Sequence, residues 1–364
     1  TRGVKGKPPM TMSHVQESSH GPYAGGDASR PLTRRRFLMM LGGAGTLAGL
    51  GLLGGSGGHA AGTMPSARRS SRALGTEVSV TALHPQRGVA ERAVDAALAE
   101  VERVDSLMSL YRPESPICRL NREGSLADPH PYLAEVLRKA RAVAERSGGA
   151  FDVTVQPLWD LNAAAVREGR TPPADAVAAV LPRIGWRRVM VTDSRVRLLG
   201  EGTAVTLNGI AQGYAADRAL AALKAHGIRH ALVNTGEVGA MGRKADGDAW
   251  VVGVQHPRRA DAYVSAAKLE GRCLSTSGDY ATAFTPDRAH NHLFDPATGR
   301  SPGHFASVTV LAPTGTDADA LSTAVFVLGY DEGMRLLRGI PEVEALFVLK
   351  SGEVLATPGF PREA

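Results

Sequence analysis

From Thr76 onward, strand-like and helix-like periods are interspersed without regular alternation, and this ordering restricts the fold more than any single motif. "TEVSVTALH" (Thr76–His84) alternates as a strand does. Ala90–Leu110 places Val94, Leu98, Val101, Val104 and Leu107 at helical spacing, and Pro131–Ser147 is a second helical stretch, ended by Gly148-Gly149. "LNGIAQGYAADRALAALKAHG" predicts a helix opening near Gly209 and stopping at Gly227. "HALVNTG", "AWVVGVQHP" and "SVTVLAP" predict short strands bounded by Gly and Pro. A fourth helix is expected to open at about Asp319, and "EALFVLKSG" to close the chain as a strand. A doubly wound sheet needs strict alternation, so the expectation is an α+β fold with a single domain over residues 62–364. No G-x-G-x-x-G follows a strand and no Walker A sequence is present, which sets aside the standard nucleotide folds.

The N-terminal residues have a different character. Arg34, Arg35 and Arg36 precede an apolar, Gly-rich run from Phe37 to Leu53, and Ala60-Ala61 offers small residues for cleavage. Thr33–Leu38 resembles a twin-arginine export signal, so residues 1–61 are expected to be an extension and signal peptide, and the mature protein periplasmic. The apolar run is shorter than the roughly 20 residues a membrane span needs. Charge supports this division. The chain carries a net +6, but residues 1–61 hold seven Lys and Arg against two acids. The remainder is close to neutral, which excludes the basic footprint that nucleic acid demands. Cys118 and Cys273 are expected to be free and partly buried.

Several segments bear chemistry. "SGGAFDVTVQPL" sets Phe151 and Asp152 behind two glycines. "LNGIAQGYAADRA" brings Gly209 and Gly213 to a helix start, where free amides favour phosphate. "LSTSGDYATAF" leads to "HNHLFDPATGRSP", His290 to Pro302, with two histidines, an aspartate and a sharp turn. "TDADALSTAVFVLG" spaces Asp319 and Thr323 four apart on one helix face, a carboxylate and a hydroxyl of the kind Mg²⁺ prefers. Taken singly, each has a plain structural explanation. Asp319 caps its helix, Gly209 packs a helix start, Tyr111 and Phe151 are core aromatics, and His292 is satisfied within a turn.

In order along the chain, "GAFDVTVQPL", "GIAQGYAADRA", "TSGDYATAF", "HLFDPATGRSP" and "ADALSTAVFVLG" resemble the ApbE family of FAD:protein FMN transferases, as do "ALGTEVSV" and "LMSLYRPESPICRLN" before them. The resemblance implies an exported, Mg²⁺-dependent enzyme that splits FAD at its pyrophosphate, joins FMN to a Thr or Ser of a partner and releases AMP. Leu74 and Tyr111 fall where the family contacts the flavin. Ala150, Phe151 and Asp152 match its FAD-contacting triplet. Gly209 (through its carbonyl), Asp319 and Thr323 match its metal ligands, with Ser322 nearby. His292 matches the histidine of the H-x-x-D-P segment and is the candidate base, with Asp279 or Asp295 to orient it. Thr206 and Gln212 stand where many members carry Asp, and Lys or Glu, and are assigned to FAD. The implied partner is an acceptor flavoprotein subunit of a membrane redox system. The twin-arginine signal without a lipid anchor resembles the NosX branch, which serves nitrous oxide reduction with a NosR-like acceptor. The alternatives are an FAD pyrophosphatase and an exported flavin carrier without turnover.

Overall fold

The computed structural model describes residues 64–363, so the expected export signal and cleavage site lie outside the described residues. The chain begins with strands β1 (Ser66–Ala73) and β2 (Thr76–Leu83), then helices α1 (Arg87–Met108) and α2 (Pro116–Glu123). Strand β3 (Ser125–Ala127) precedes α3 (Pro131–Arg146), α4 (Gln156–Arg167) and α5 (Ala174–Val180). After β4 (Val189–Val191) and β5 (Arg195–Leu198) comes α6 (Ala211–Ala225). Strands β6 (His230–Asn234), β7 (Val238–Met241), β8 (Val251–Gln255), β9 (Tyr263–Lys268), β10 (Cys273–Gly278) and β11 (Phe305–Ala312) follow. Helices α7 (Gly315–Leu328) and α8 (Tyr330–Arg338) precede β12 (Glu344–Leu349), β13 (Val354–Ala356) and β14 (Arg362–Glu363).

The main sheet has eight strands in the order β1-β2-β6-β7-β10-β11-β12-β13, with antiparallel neighbours throughout. Strand β11 explains the layering, because every one of its residues is buried. Val308, Val310 and Ala312 point to the large core that α1, α6 and α7 share, while Ala306 and Leu311 join a second core. That second core lies against the small β14-β9-β8 sheet, through Val252, Val254 and Ala267. Both faces of β11 are therefore covered, and period-two alternation of polarity disappears from its sequence. The fold is α+β, as expected, with helices on one face of an antiparallel sheet and a smaller sheet on the other.

Local chemistry sets the element ends. The β1–β2 turn is Leu74-Gly75, both at positive φ (53° and 77°), the two-residue geometry that matches strand twist. Helix α2 starts at Pro116 after Ser115, whose side chain accepts the Cys118 amide, and stops at left-handed Gly124. Helix α7 opens at Gly315, one turn before the expected position. Thr314 accepts the Asp317 amide and donates to the Asp317 carboxylate, which leaves no capping role for Asp319. Helix α6 likewise starts at Ala211, two residues after Gly209. Strand β12 does not close the chain, since β13 and β14 follow. The edge strand β1 was not expected, because its exposed "RRSSR" centre has no apolar alternation. Both cysteines are free, Cys118 half-buried and Cys273 buried. Among the described residues, no helix is long and apolar enough to cross a membrane.

Candidate active site

A cleft opens between the β1–β2 turn, the segment before α4, the starts of α6 and α7, the end of β10 and the loop carrying His292. Leu74 is pinned at its rim: its amide donates to Asp105 Oδ1 at 2.7 Å, and Asp105 is itself held by Arg112 at 2.5 Å. A non-glycine residue at φ 53° is strained, and the buried Asp105 carboxylate holds it there. Tyr111 stands beside the turn and is 39% exposed, so it is a rim residue and not a core aromatic. On the opposite wall, Gly148 and Gly149 turn the chain at positive φ, and the Phe151 amide donates to Ser147 Oγ at 3.1 Å. Phe151 is buried in the main core and also lines the cleft beside Ala150 and Trp159. Asp152 uses both oxygens within the protein. Oδ1 accepts from the amide and hydroxyl of Thr154, and Oδ2 accepts from the Trp186 amide at 2.7 Å. Burial nonetheless holds its pKa above the ordinary carboxylate range.

The floor is built where α6 crosses α7. Gly213 and Gly315 bring the two backbones into contact, and a Cβ on Gly213 would lie 2.0 Å from the Gly315 carbonyl oxygen. Only glycine at both positions allows this approach. It lets the Gly213 amide donate to Asp319 Oδ2 at 2.9 Å, and lets Asp217 of α6 accept the Gly315 and Thr316 amides at the head of α7. Asp319 is thus buried with a single amide donor on one oxygen. Glu237, at the head of β7, lies close enough to repel it. Burial first, and then the Glu237 charge, push the Asp319 pKa well above the carboxylate range. Burial likewise raises Glu237 to about 7, against hydrogen bonds from Ser275 and the Thr276 amide. Asp319 is buried and Glu237 partly so, and a cation beside them would relieve their mutual repulsion. Thr323 sits one turn after Asp319, and Gly209 approaches it so closely that a Cβ there would be 3.1 Å from Thr323 Oγ1. One carboxylate, one hydroxyl and a neighbouring backbone carbonyl form a hard-oxygen set that suits Mg²⁺. Among the described residues no group of three or more His, Cys, Asp or Glu is arranged to hold a metal, so any cation here relies on this mixed set.

His292 faces the same space. Its Nδ1 lies 3.2 Å from the Thr282 carbonyl, which only accepts, so Nδ1 carries the hydrogen and Nε2 keeps a free lone pair. Burial lowers its pKa to about 4, and the Thr282 bond and the Asp279 charge offset only part of that. The imidazole is neutral at physiological pH. Asp279 is engaged elsewhere: Arg258 clasps both its oxygens at 2.7 and 2.8 Å, and Lys350 adds a contact at 3.0 Å. Asp295 accepts from the Ala297 amide and the Thr298 hydroxyl, a turn-making role. Neither aspartate touches the His292 ring through a hydrogen bond, so the Thr282 carbonyl takes the orienting part expected of them. Phe294, two residues on, stacks on Phe284 at 6.1 Å and seals that end of the cleft.

Of the residues singled out in the sequence, Leu74, Tyr111, Ala150, Phe151, Asp152, Thr206, Gly209, Gln212, His292, Asp319 and Thr323 line this cleft, whereas Gly213, Asp279, Asp295 and Ser322 do not. Thr206 accepts the Asn208 amide at 3.2 Å, and Gln212 reaches back to the Leu74 carbonyl at 3.4 Å. Thr235 donates to the Gln212 carbonyl at 2.8 Å and so ties the head of α6 to the β6–β7 turn. Sequence reasoning missed Glu237, Ser277, Asp105 and Trp159. Glu237 left a visible trace, as the one charge in the run "VNTGEVGAMG".

The ApbE family profile matches residues 74–347. A Treponema pallidum protein named FAD:protein FMN transferase is 33% identical over 321 residues, covering 80% of this chain and 86% of its own length. The crystal structure of the ApbE protein of Thermotoga maritima matches with a TM-score of 0.72 at 29% identity, over 82% of this chain and 100% of that one. The apo form of the flavinyl transferase ApbE of Pseudomonas stutzeri matches with a TM-score of 0.68 at 27% identity, over 81% and 96%. With most of its length matched in sequence and in fold, the chain belongs to the ApbE family.

Proposed function

We propose that this chain transfers FMN from FAD to a Thr or Ser hydroxyl of an acceptor protein and releases AMP. One observation carries the reading: apolar and aromatic side chains, a histidine and a hard-oxygen set beside two acids converge on one cleft. Leu74, Tyr111 and Phe151 supply surfaces against which an isoalloxazine ring packs. Asp319, the Thr323 hydroxyl and the Gly209 carbonyl would hold Mg²⁺, which when bound neutralises the charge of a pyrophosphate. His292 Nε2 accepts the proton of the acceptor hydroxyl as its oxygen bonds to the FMN phosphorus. The bond from that phosphorus to the bridging oxygen breaks, and AMP leaves with the oxygen. The Thr282 carbonyl holds the imidazole in the tautomer this step needs.

The same reading places the enzyme in the periplasm, exported through Arg34–Arg36, with a subunit of a membrane redox system as its acceptor, NosR-like in the NosX branch. Cell fractionation with all three arginines changed to Lys tests the address, and undiminished periplasmic protein would remove it. The activity is tested by incubating the protein with FAD, Mg²⁺ and a Thr-bearing acceptor peptide, then weighing the peptide and measuring AMP. Equal amounts of flavinylated peptide and AMP are expected. AMP with free FMN and an unmodified peptide would make the protein a pyrophosphatase, and bound FAD without AMP would make it a carrier.

A further inference from the structure

Three hydroxyls stand in a row between β10 and α7. Ser322 lies 2.8 Å from Ser277, and Ser277 lies 3.0 Å from Thr323. Ser322 is fully buried and Ser277 nearly so. Each hydroxyl has one hydrogen to give, so the direction of the row follows from its end. Ser322 donates to the Asp319 carbonyl at 2.9 Å, and a carbonyl only accepts. With that hydrogen committed, the contact between Ser322 and Ser277 is donated by Ser277. The Ser277 hydrogen is then spent, and Thr323 must donate to Ser277. Thr323 therefore turns its hydrogen towards the sheet and its free lone pair elsewhere. Ser275, 3.3 Å from Ser322, can only donate to it while the Ser322 hydrogen is committed to the Asp319 carbonyl, and so leaves the order of the row undisturbed.

We propose that Ser277 and Ser322 are positioning residues that set the polarity of the Thr323 hydroxyl, so that it offers a cation lone pairs instead of a hydrogen. The proposal rests on the reading of Thr323 as a cation ligand. A helical threonine is otherwise free to turn its hydroxyl onto its own helix. Ser322 does not line the cleft, yet its removal should be felt there. Without it, Ser277 donates to Thr323, and the Thr323 hydrogen swings outward.

The test is a calorimetric titration of Mg²⁺ into the FAD-free protein, with KM for Mg²⁺ and kcat measured separately in FMN transfer. Ser322→Ala suits a helix interior and should fold. Ser322→Ala and Ser277→Ala are expected to weaken Mg²⁺ binding roughly three- to tenfold, with the loss falling on KM and not on kcat. Ser277→Thr, which keeps the hydroxyl, should recover most of the affinity. Unchanged affinity in Thr323→Val would remove the cation reading itself. A weakened Thr323→Val beside an unaffected Ser322→Ala would remove the hydroxyl row alone. Affinity loss that tracks a lower cation-free melting temperature, with no recovery in Ser277→Thr, would mark plain packing and overturn the proposal.

Discussion

Asp319→Asn separates the two meanings of that side chain, because it should raise stability without cation and abolish the gain from cation. The helix-capping work on α7 belongs to Thr314 and Asp217, so the substitution leaves the helix start intact. Asparagine still accepts the Gly213 amide now bonded at 2.9 Å. What it removes is a buried negative charge beside Glu237 and Asp217. Relieving such a charge is worth roughly 1–2 kcal/mol to the cation-free protein. The parent gains about 2.7 kcal/mol when Mg²⁺ stands at a hundred times its dissociation constant. At about 2 °C per kcal/mol for a chain of this size, the variant should melt roughly 2–4 °C above the parent in EDTA. The parent should then rise by about 5 °C in saturating Mg²⁺ and overtake it. Sign and pH also follow. A carboxyl whose folded pKa is raised is stabilising when protonated, and that contribution is lost as pH climbs through the folded value. The variant's advantage in EDTA should therefore be small at pH 5 and larger at pH 8. Differential scanning fluorimetry at both values, with EDTA or Mg²⁺, reads all four states. An Asn variant that gains as much from Mg²⁺ as the parent would refute the ligand assignment. One that melts below the parent in EDTA would return Asp319 to a structural role.

Two more perturbations bear on the site. His292 has a folded pKa of about 4, below its unfolded value, so the parent should lose stability relative to His292→Gln as pH falls from 6.5 towards 4. The difference should reach about 2 kcal/mol at pH 4.5, read by urea unfolding of both proteins; a difference that does not change with pH means the folded imidazole protonates freely. Gly213→Ala puts a Cβ 2.0 Å from the Gly315 oxygen, so α6 and α7 must part and stretch the amide bond to Asp319. Stability should fall by about 1–3 kcal/mol, with weaker Mg²⁺ binding alongside, and a variant of parental melting and Mg²⁺ affinity would show that the close crossing is dispensable.

The segments that carry the chemistry were legible because their signals are local. Helical spacing in Ala90–Leu110, the paired glycines before Phe151 and the D-x-x-x-T of Asp319 and Thr323 each fit within a few turns of chain, as does the histidine loop. Those patterns, and their order, pointed to Leu74, Tyr111, Phe151, Gly209, His292, Asp319 and Thr323, which line the cleft, but not to Trp159, Glu237 or Ser277, which line it too. The α+β class followed from the same interspersed periods. Local signals failed where packing overrides them. Strand β1 is an exposed edge without alternation, and β11 is buried on both faces, so its partners on either side cannot be read from its own residues. The state of the site was settled only by contacts between distant parts of the chain. Asp319 meets Gly213 across 106 residues, and Ser277 meets Thr323 across 46. Asp319 reads as a cap from its neighbours in sequence and becomes a buried, repelled carboxylate only once Glu237 is folded beside it. His292 is neutral because burial outweighs the Thr282 bond and the Asp279 charge. Residue types and their order are local properties, but charge, protonation and hydroxyl direction depend on the dielectric and the partners that folding brings together.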